Sequence, residues 1–203
     1  TQNTLSLHDA LPISLFSYLK EEDYVSMQQN LAWLDVRAAA GAPLQEALSL
    51  PTWPARSSFQ NELLVPGMPL AAMPVESLYK AWSTQQGNAF GATRGLYLGD
   101  PARHLSQVYR ELAIEVPAEF ASMPDHLTLE LELLALLLDA GNGEAARQLA
   151  ADHLDWLDEY DAALADRADI VAHNEALPSV RRRNLLDGIA FLRALAALAQ
   201  RTV

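Results

Sequence analysis

From Leu15 onward, apolar side chains return at mostly helical intervals in segments that Gly and Pro keep cutting short, a pattern that confines the chain to packed helices. Leu15, Phe16, Leu19, Tyr24, Met27, Leu31, Leu34 and Val36 make the first run, which predicts one or two helices before Gly41-Ala42-Pro43. A shorter helix is expected around Leu44 to Leu50, ending at Pro51, and another over Phe59 to Val65. Pro66 to Pro74 is too Pro-rich for regular helix and reads as a surface loop. Pro74-Val75-Glu76-Ser77-Leu78-Tyr79 opens a short segment ending near Trp82, with a polar loop behind it.

Gly99-Asp100-Pro101 predicts a sharp helix entry, with Asp100 as N-cap and Pro101 at the first helical position; Leu105, Val108, Tyr109, Leu112 and Ile114 follow before Pro117. A helix from Ser122 to about Ala140 is stopped by Gly141-Asn142-Gly143. One continuous helix is then expected from Glu144 to about Ala165, with Leu149, His153, Trp156, Leu157 and Tyr160 on one stripe. After Leu177-Pro178 a last amphipathic helix carries Leu185, Leu186, Ile189, Leu192, Leu195 and Leu198. No period of repeat-protein length is visible.

Composition agrees with this pattern. Ala and Leu dominate, β-branched residues are scarce, only 7% of residues are aromatic, and 50% apolar content over 203 residues suffices for a core. The expected architecture is all-α, a single-domain helical bundle over residues 14–203. Residues 1–13 are set apart, because Asn3-Thr4-Leu5-Ser6-Leu7-His8-Asp9-Ala10-Leu11-Pro12-Ile13 reads like a translated short-read sequencing adapter fused to the gene fragment. With no basic residue before Lys20, the segment does not read as a secretory signal.

The formal charge of −12, from 14 basic and 26 acidic residues, argues against a nucleic-acid partner. The one basic run, Arg181-Arg182-Arg183, splays over different sides of a helix and reads as a solvated patch. No apolar run approaches the roughly 20 residues that cross a bilayer, so stable membrane insertion is not expected. The absence of Cys removes thiolate metal sites and thiol chemistry, and the five histidines lack ligand spacing, so neither metal nor cofactor is expected. Gly87, Gly91, Gly95 and Gly99 lack the Lys-Ser/Thr ending of a phosphate loop. Glu130 and Glu132 point to different helix sides and read as solvated positions.

One cluster exceeds what helix capping needs. Ser122 is a suitable N-cap, Pro124 fits the first turn and Asp125 sits at capping-box spacing, yet His126 follows with no capping duty. Asp125 and His126 read either as a cap beside a surface residue or as a carboxylate–imidazole dyad, although the sequence ties no Ser or Cys nucleophile to them.

Pro124-Asp125-His126-Leu127 with Glu130-Leu131, preceded by Pro74-x-Glu76-Ser77-Leu78-Tyr79 and by Gly99-Asp100 ahead of a helix, resembles the TorD/DmsD family of cytoplasmic molybdoenzyme-maturation chaperones. The resemblance covers roughly Phe59 to Leu164. It implies an all-helical, non-catalytic protein that binds the twin-arginine signal peptide of a molybdopterin oxidoreductase catalytic-subunit precursor. Such a chaperone assists cofactor insertion before export, works in the cytoplasm, carries no cofactor of its own, and is a monomer or homodimer.

Carried over by position, the signal-peptide residues are Phe59, Leu63, Leu64, Pro74, Glu76, Tyr79, Gly99, Asp100, Pro124, Asp125 and His126. The apolar members would meet the peptide's hydrophobic region, and Asp100, Asp125 and Glu76 its guanidinium groups. The sequence departs from the family at Met73, where Pro is frequent, at Leu64, where Phe is common, at Ser122, where an acidic residue often stands, and at Leu133-Leu134. Rival readings are a helical assembly factor for another segment of a redox-enzyme subunit and a small hydrolase using Asp125 and His126.

Overall fold

Ten α-helices follow one another in the computed structural model, which describes residues 13–201: α1 (Glu21–Met27), α2 (Leu31–Ala39), α3 (Ala42–Ala47), α4 (Trp53–Leu63), α5 (Glu76–Tyr79), α6 (Asp100–Glu111), α7 (Leu127–Asp139), α8 (Gly143–His153), α9 (Leu157–His173) and α10 (Ser179–Arg201). Short 3-10 turns at Ile13–Phe16 and Ala118–Phe120 complete them. Among the described residues the only β pairing is an isolated bridge, and no helix is long and apolar enough to cross a membrane. The all-α expectation is met. The adapter-like segment lies outside the described residues except for Ile13.

The described residues divide into two compact units, one of residues 13–72 together with 161–201, the other of Met73–Tyr160. In the first, α10 packs along α4. Gly188 makes that approach close, since a Cβ there would stand 2.2 Å from Phe59 Cγ and 2.6 Å from Phe59 Cβ. Phe59 and Leu63 on α4 and Leu185, Ile189 and Leu192 on α10 are buried in this interior.

Arg56 on α4 is fully buried as well. Its guanidinium donates to the carbonyls of Leu15 (2.9 Å) and Ser17 and to Gln60 Oε1 (3.0 Å), and lies over the rings of Tyr24 and Phe59. Gln60 in turn accepts from Leu19 N–H at 3.1 Å and donates to the Leu19 carbonyl at 3.0 Å. One turn of α4 thus satisfies the carbonyls of Leu15 and Ser17 and both backbone groups of Leu19.

The second unit holds α5 to α8 and the first turn of α9. Here three expectations are corrected. Helix α7 starts at Leu127 with His126 as N-cap, not at Ser122, because residues 125–127 are held extended by pairing with residues 74–76. Helix α6 has Gly99 as N-cap, and the Asp100 carboxylate turns away to accept from Thr84 N–H at 2.8 Å. The expected helix from Glu144 to Ala165 is two helices: the Trp156 indole N–H takes the His153 carbonyl at 2.7 Å, the acceptor that Leu157 N–H would use in a continuous helix.

Placing a methyl group at Gly188 tests the α4–α10 contact. Ala favours helix by about 1 kcal/mol over Gly, but the clash with Phe59 outweighs it, and Gly188→Ala is expected to lose about 1 to 3 kcal/mol in urea unfolding. A gain in stability would mean that the helices are not this close.

Candidate functional site

The three sequence motifs meet at Ser77. Residues 74–76 and 125–127 form a short antiparallel bridge: Glu76 N–H donates to the Asp125 carbonyl at 3.0 Å, and Leu127 N–H to the Pro74 carbonyl at 2.9 Å. The bridge brings the Asp125 carboxylate to the start of α5, where Oδ2 accepts from Ser77 N–H at 2.7 Å and from the Ser77 hydroxyl. That hydroxyl accepts in turn from Gly99 N–H at 3.0 Å. Gly is needed at position 99 because a Cβ would lie 2.9 Å from the Trp82 carbonyl oxygen and 3.1 Å from Ser77 Oγ. Asp125 is wholly buried; burial raises its pKa, the Ser77 hydrogen bonds oppose the rise, and the net direction is up.

His126 is buried beside it with a separate task. Its Nδ1 accepts from Thr128 N–H at 3.2 Å, which caps α7 and leaves the proton of the neutral ring on Nε2, and the ring packs on Phe120 with centroids 4.9 Å apart. Burial pushes its pKa down to about 3. The dyad arrangement does not form: His126 Nδ1 is occupied by Thr128 N–H, Asp125 Oδ2 is bonded to Ser77, and Asp125 Oδ1 has no hydrogen bond to the ring.

A chain of titratable groups runs inward from a cavity of about 530 Å³ in the same unit. His104, exposed on α6, places Nδ1 2.8 Å from Nε2 of the buried His153, whose Nδ1 is 2.7 Å from Glu76 Oε2. Beyond Glu76 lies Glu130, fully buried, whose oxygens meet no N–H or hydroxyl donor and whose carboxyl is hydrogen-bonded to that of Glu76. Burial, with Glu76 and Asp125 as like-charged neighbours, raises the Glu130 pKa well above the ordinary range. The solvated position expected for Glu130 is therefore corrected: the register of α7 turns it inward with Leu127, Leu133 and Leu134. Ligand atoms of Glu76, Glu130 and His153 all lie within 4.8 Å of one another.

The cavity wall is acidic and aromatic. Glu76, Asp100, Asp152, Asp155 and Glu159 face it, against Lys80 and Arg94. Lys80 Nζ is 2.7 Å from Glu76 Oε1 and pairs with Asp155; burial would lower its pKa, but these contacts outweigh burial and hold it above its usual range. Arg94 stands 4.0 Å from Glu159. Tyr79 stacks on Trp156 with centroids 5.3 Å apart and meets Tyr160 edge-on at 5.7 Å. The loop that supplies Arg94 also carries Phe90, Leu96 and Leu98, all with exposed side chains.

A family model described as nitrate reductase delta subunit matches residues 38–169, more than half of the chain. The chain belongs to the nitrate reductase delta subunit family. No curated protein and no solved structure matches it. The nitrate reductase delta subunit family is one of molybdoenzyme maturation chaperones, in agreement with the TorD/DmsD resemblance, and its members act on redox-enzyme subunits as maturation factors.

Within this family member, the positions picked from sequence separate into three groups. Pro74, Glu76, Gly99, Pro124, Asp125 and His126 come together at the Ser77 junction and are all buried. Tyr79 and Asp100 stand on the cavity wall and are partly exposed, with Glu76 closing its inner side. Phe59, Leu63 and Leu64 belong to the first unit and are buried there.

Sequence reading missed Ser77 as the hub and the pairing of His153 with Glu76, which are 77 residues apart. A signal for Ser77 was present, a hydroxyl inside a motif whose neighbours were all selected. None existed for His153, which fits a helical stripe equally well as a core residue.

Two outcomes are expected. Asp125→Ala leaves the Ser77 N–H and hydroxyl buried without their acceptor and should cost about 1 to 3 kcal/mol in denaturant unfolding, whereas Asp125→Asn, which keeps an oxygen, should cost less; equal losses would contradict the junction. His126 has a folded-state pKa below its unfolded value, so its contribution is fully present above about pH 6.5 and is lost as pH falls toward 3. Replacing it with Asn, which retains capping ability, should remove about 2 to 3 kcal/mol of the wild-type stability loss between roughly pH 6.5 and 4.5. Parallel acid limbs for the two proteins would show that His126 is not buried neutral.

Proposed function

We propose that this chaperone binds the twin-arginine signal peptide of a molybdopterin oxidoreductase catalytic-subunit precursor, in the cavity beside the Ser77 junction. In this reading it retains the apo-enzyme in the cytoplasm for cofactor insertion before export. The observation that carries the proposal is the charge of the cavity wall, where five carboxylates face two basic side chains next to a stacked Tyr79–Trp156 pair.

A guanidinium group is recognised by carboxylates that can accept two parallel N–H bonds and by aromatic faces that take its planar cation. The second unit already contains such an arrangement on a small scale: Arg103 pairs with Asp100 and lies over the Trp82 ring at 4.6 Å. Asp155 and Glu159 are exposed, and their partners Lys80 and Arg94 are single side chains that an incoming arginine pair can replace. The hydrophobic region of the peptide follows its arginines, and Phe90, Leu96 and Leu98 offer exposed apolar surface on the Arg94 loop. Asp125 has an indirect part in this scheme, holding α5 so that Glu76, Tyr79 and Lys80 present themselves together.

Titration calorimetry with a twin-arginine signal peptide and its Lys-Lys counterpart tests the proposal. Saturable binding is expected for the arginine peptide, weaker binding for the lysine peptide, and a loss of about tenfold or more for the folded Asp155→Asn/Glu159→Gln double variant. Absence of binding to either peptide by the wild-type protein would refute it and favour an assembly factor that grips another segment of the enzyme subunit.

A further inference from the structure

We infer that Glu76, Glu130 and His153 form a binding site for one first-row divalent metal ion, with zinc as the best-suited occupant. The inference shares Glu76 with the acidic wall but concerns its inward-facing oxygen and the buried Glu130 and His153, and it does not depend on peptide recognition.

Three observations carry it. The donor atoms of the three side chains lie within 4.8 Å of one another, so that a small inward side-chain adjustment brings them within the roughly 4.4 Å that ligands about 2.2 Å from a common ion can span. Glu130 is fully buried, neither of its oxygens meets an N–H or hydroxyl donor, and its polar partner is the Glu76 carboxyl; a cation seated between the two acids would take the place of the proton they share. His153 is held from its far side by His104, whose Nδ1 is 2.8 Å from His153 Nε2. An imidazole that ligates through one nitrogen characteristically engages a polar group through the other, which fixes its ring and tautomer. In the metal-bound form His153 Nδ1 carries the lone pair to the ion and Nε2–H donates to His104.

The charges around the cluster fit a dication. Glu76 and Glu130 together supply two negative charges and an ion returns the pair to neutrality, while Lys80 stays on the other Glu76 oxygen and is balanced by Asp155. Asp125, from the paired segment, is the other acidic group that acts on Glu130. Two carboxylates with one imidazole favour zinc, iron(II) or manganese over magnesium, which prefers oxygen and retains its water. The cavity reaches Glu76 and His153 and gives the ion its entry path.

Metal-stripped full chain titrated with Zn²⁺ should bind one equivalent saturably, with excess Mg²⁺ unable to compete. Glu130→Gln keeps the shape of the side chain and should weaken zinc by about tenfold or more, as should His153→Gln. Sub-stoichiometric Mn²⁺ added to ¹⁵N-labelled wild-type protein should broaden the amide signals flanking Glu76, Glu130 and His153 first, a readout that needs no variant. No saturable zinc binding by the wild-type chain, unchanged affinity in a folded Glu130→Gln protein, or Mn²⁺ broadening centred on exposed carboxylates such as Glu144 would each overturn the site. Loss of signal-peptide binding leaves these results unaffected, so the two proposals fail separately.

Discussion

The second unit depends on the hydrogen bonds that converge on Ser77. A carboxylate brought from residue 125 accepts from the Ser77 N–H and hydroxyl, and the hydroxyl accepts from Gly99 N–H, so one serine ties together the start of α5, the entry to α6 and the approach to α7. Burial makes these bonds consequential, because each donor left without its acceptor would be stranded away from water. The antiparallel bridge between residues 74–76 and 125–127 supplies the backbone half of the same junction. Everything on the cavity wall that comes from α5 and α6 inherits its position from this point.

Helix content and the Gly/Pro breaks between helices were legible, since periodicity and breakers are local signals, but exact ends were not: α4 opens at Trp53 where Phe59 was expected, and α9 runs to His173, past Ala165. The departures arise where a distant segment decides. Ser122 is a good N-cap by itself, but residues 125–127 are committed to pairing with residues 74–76, so α7 opens only at Leu127 and His126 takes the capping position. Asp100 also has capping chemistry, yet spends its carboxylate on Thr84 and Arg103. The interruption between α8 and α9 has neither Gly nor Pro; it rests on one indole hydrogen bond from Trp156. Glu130 illustrates the limit of side-chain type as a guide, because only the register of α7 reveals that it faces inward.

The site was legible in part. The motifs that marked the chain as a relative of the TorD/DmsD chaperones do converge, but their buried members form structure, and the exposed chemistry lies one step outward, on Tyr79, Lys80, Arg94, Asp155 and Glu159. Asp125 and His126, adjacent in sequence, face different partners, the carboxylate Ser77 and the imidazole Thr128, which removes the geometric basis for a dyad. Glu76 links the two levels. One of its oxygens meets Lys80 at the cavity, while the other meets His153 in the interior.

Amide hydrogen exchange tests the junction most directly. The N–H groups of Glu76, Ser77, Gly99 and Leu127 come from three separate segments but donate into one hydrogen-bonded cluster. If that cluster is the keystone of the unit, all four should exchange with a common opening free energy near that of global unfolding. Rapid exchange of Gly99 or Ser77 while α7 remains protected would contradict it.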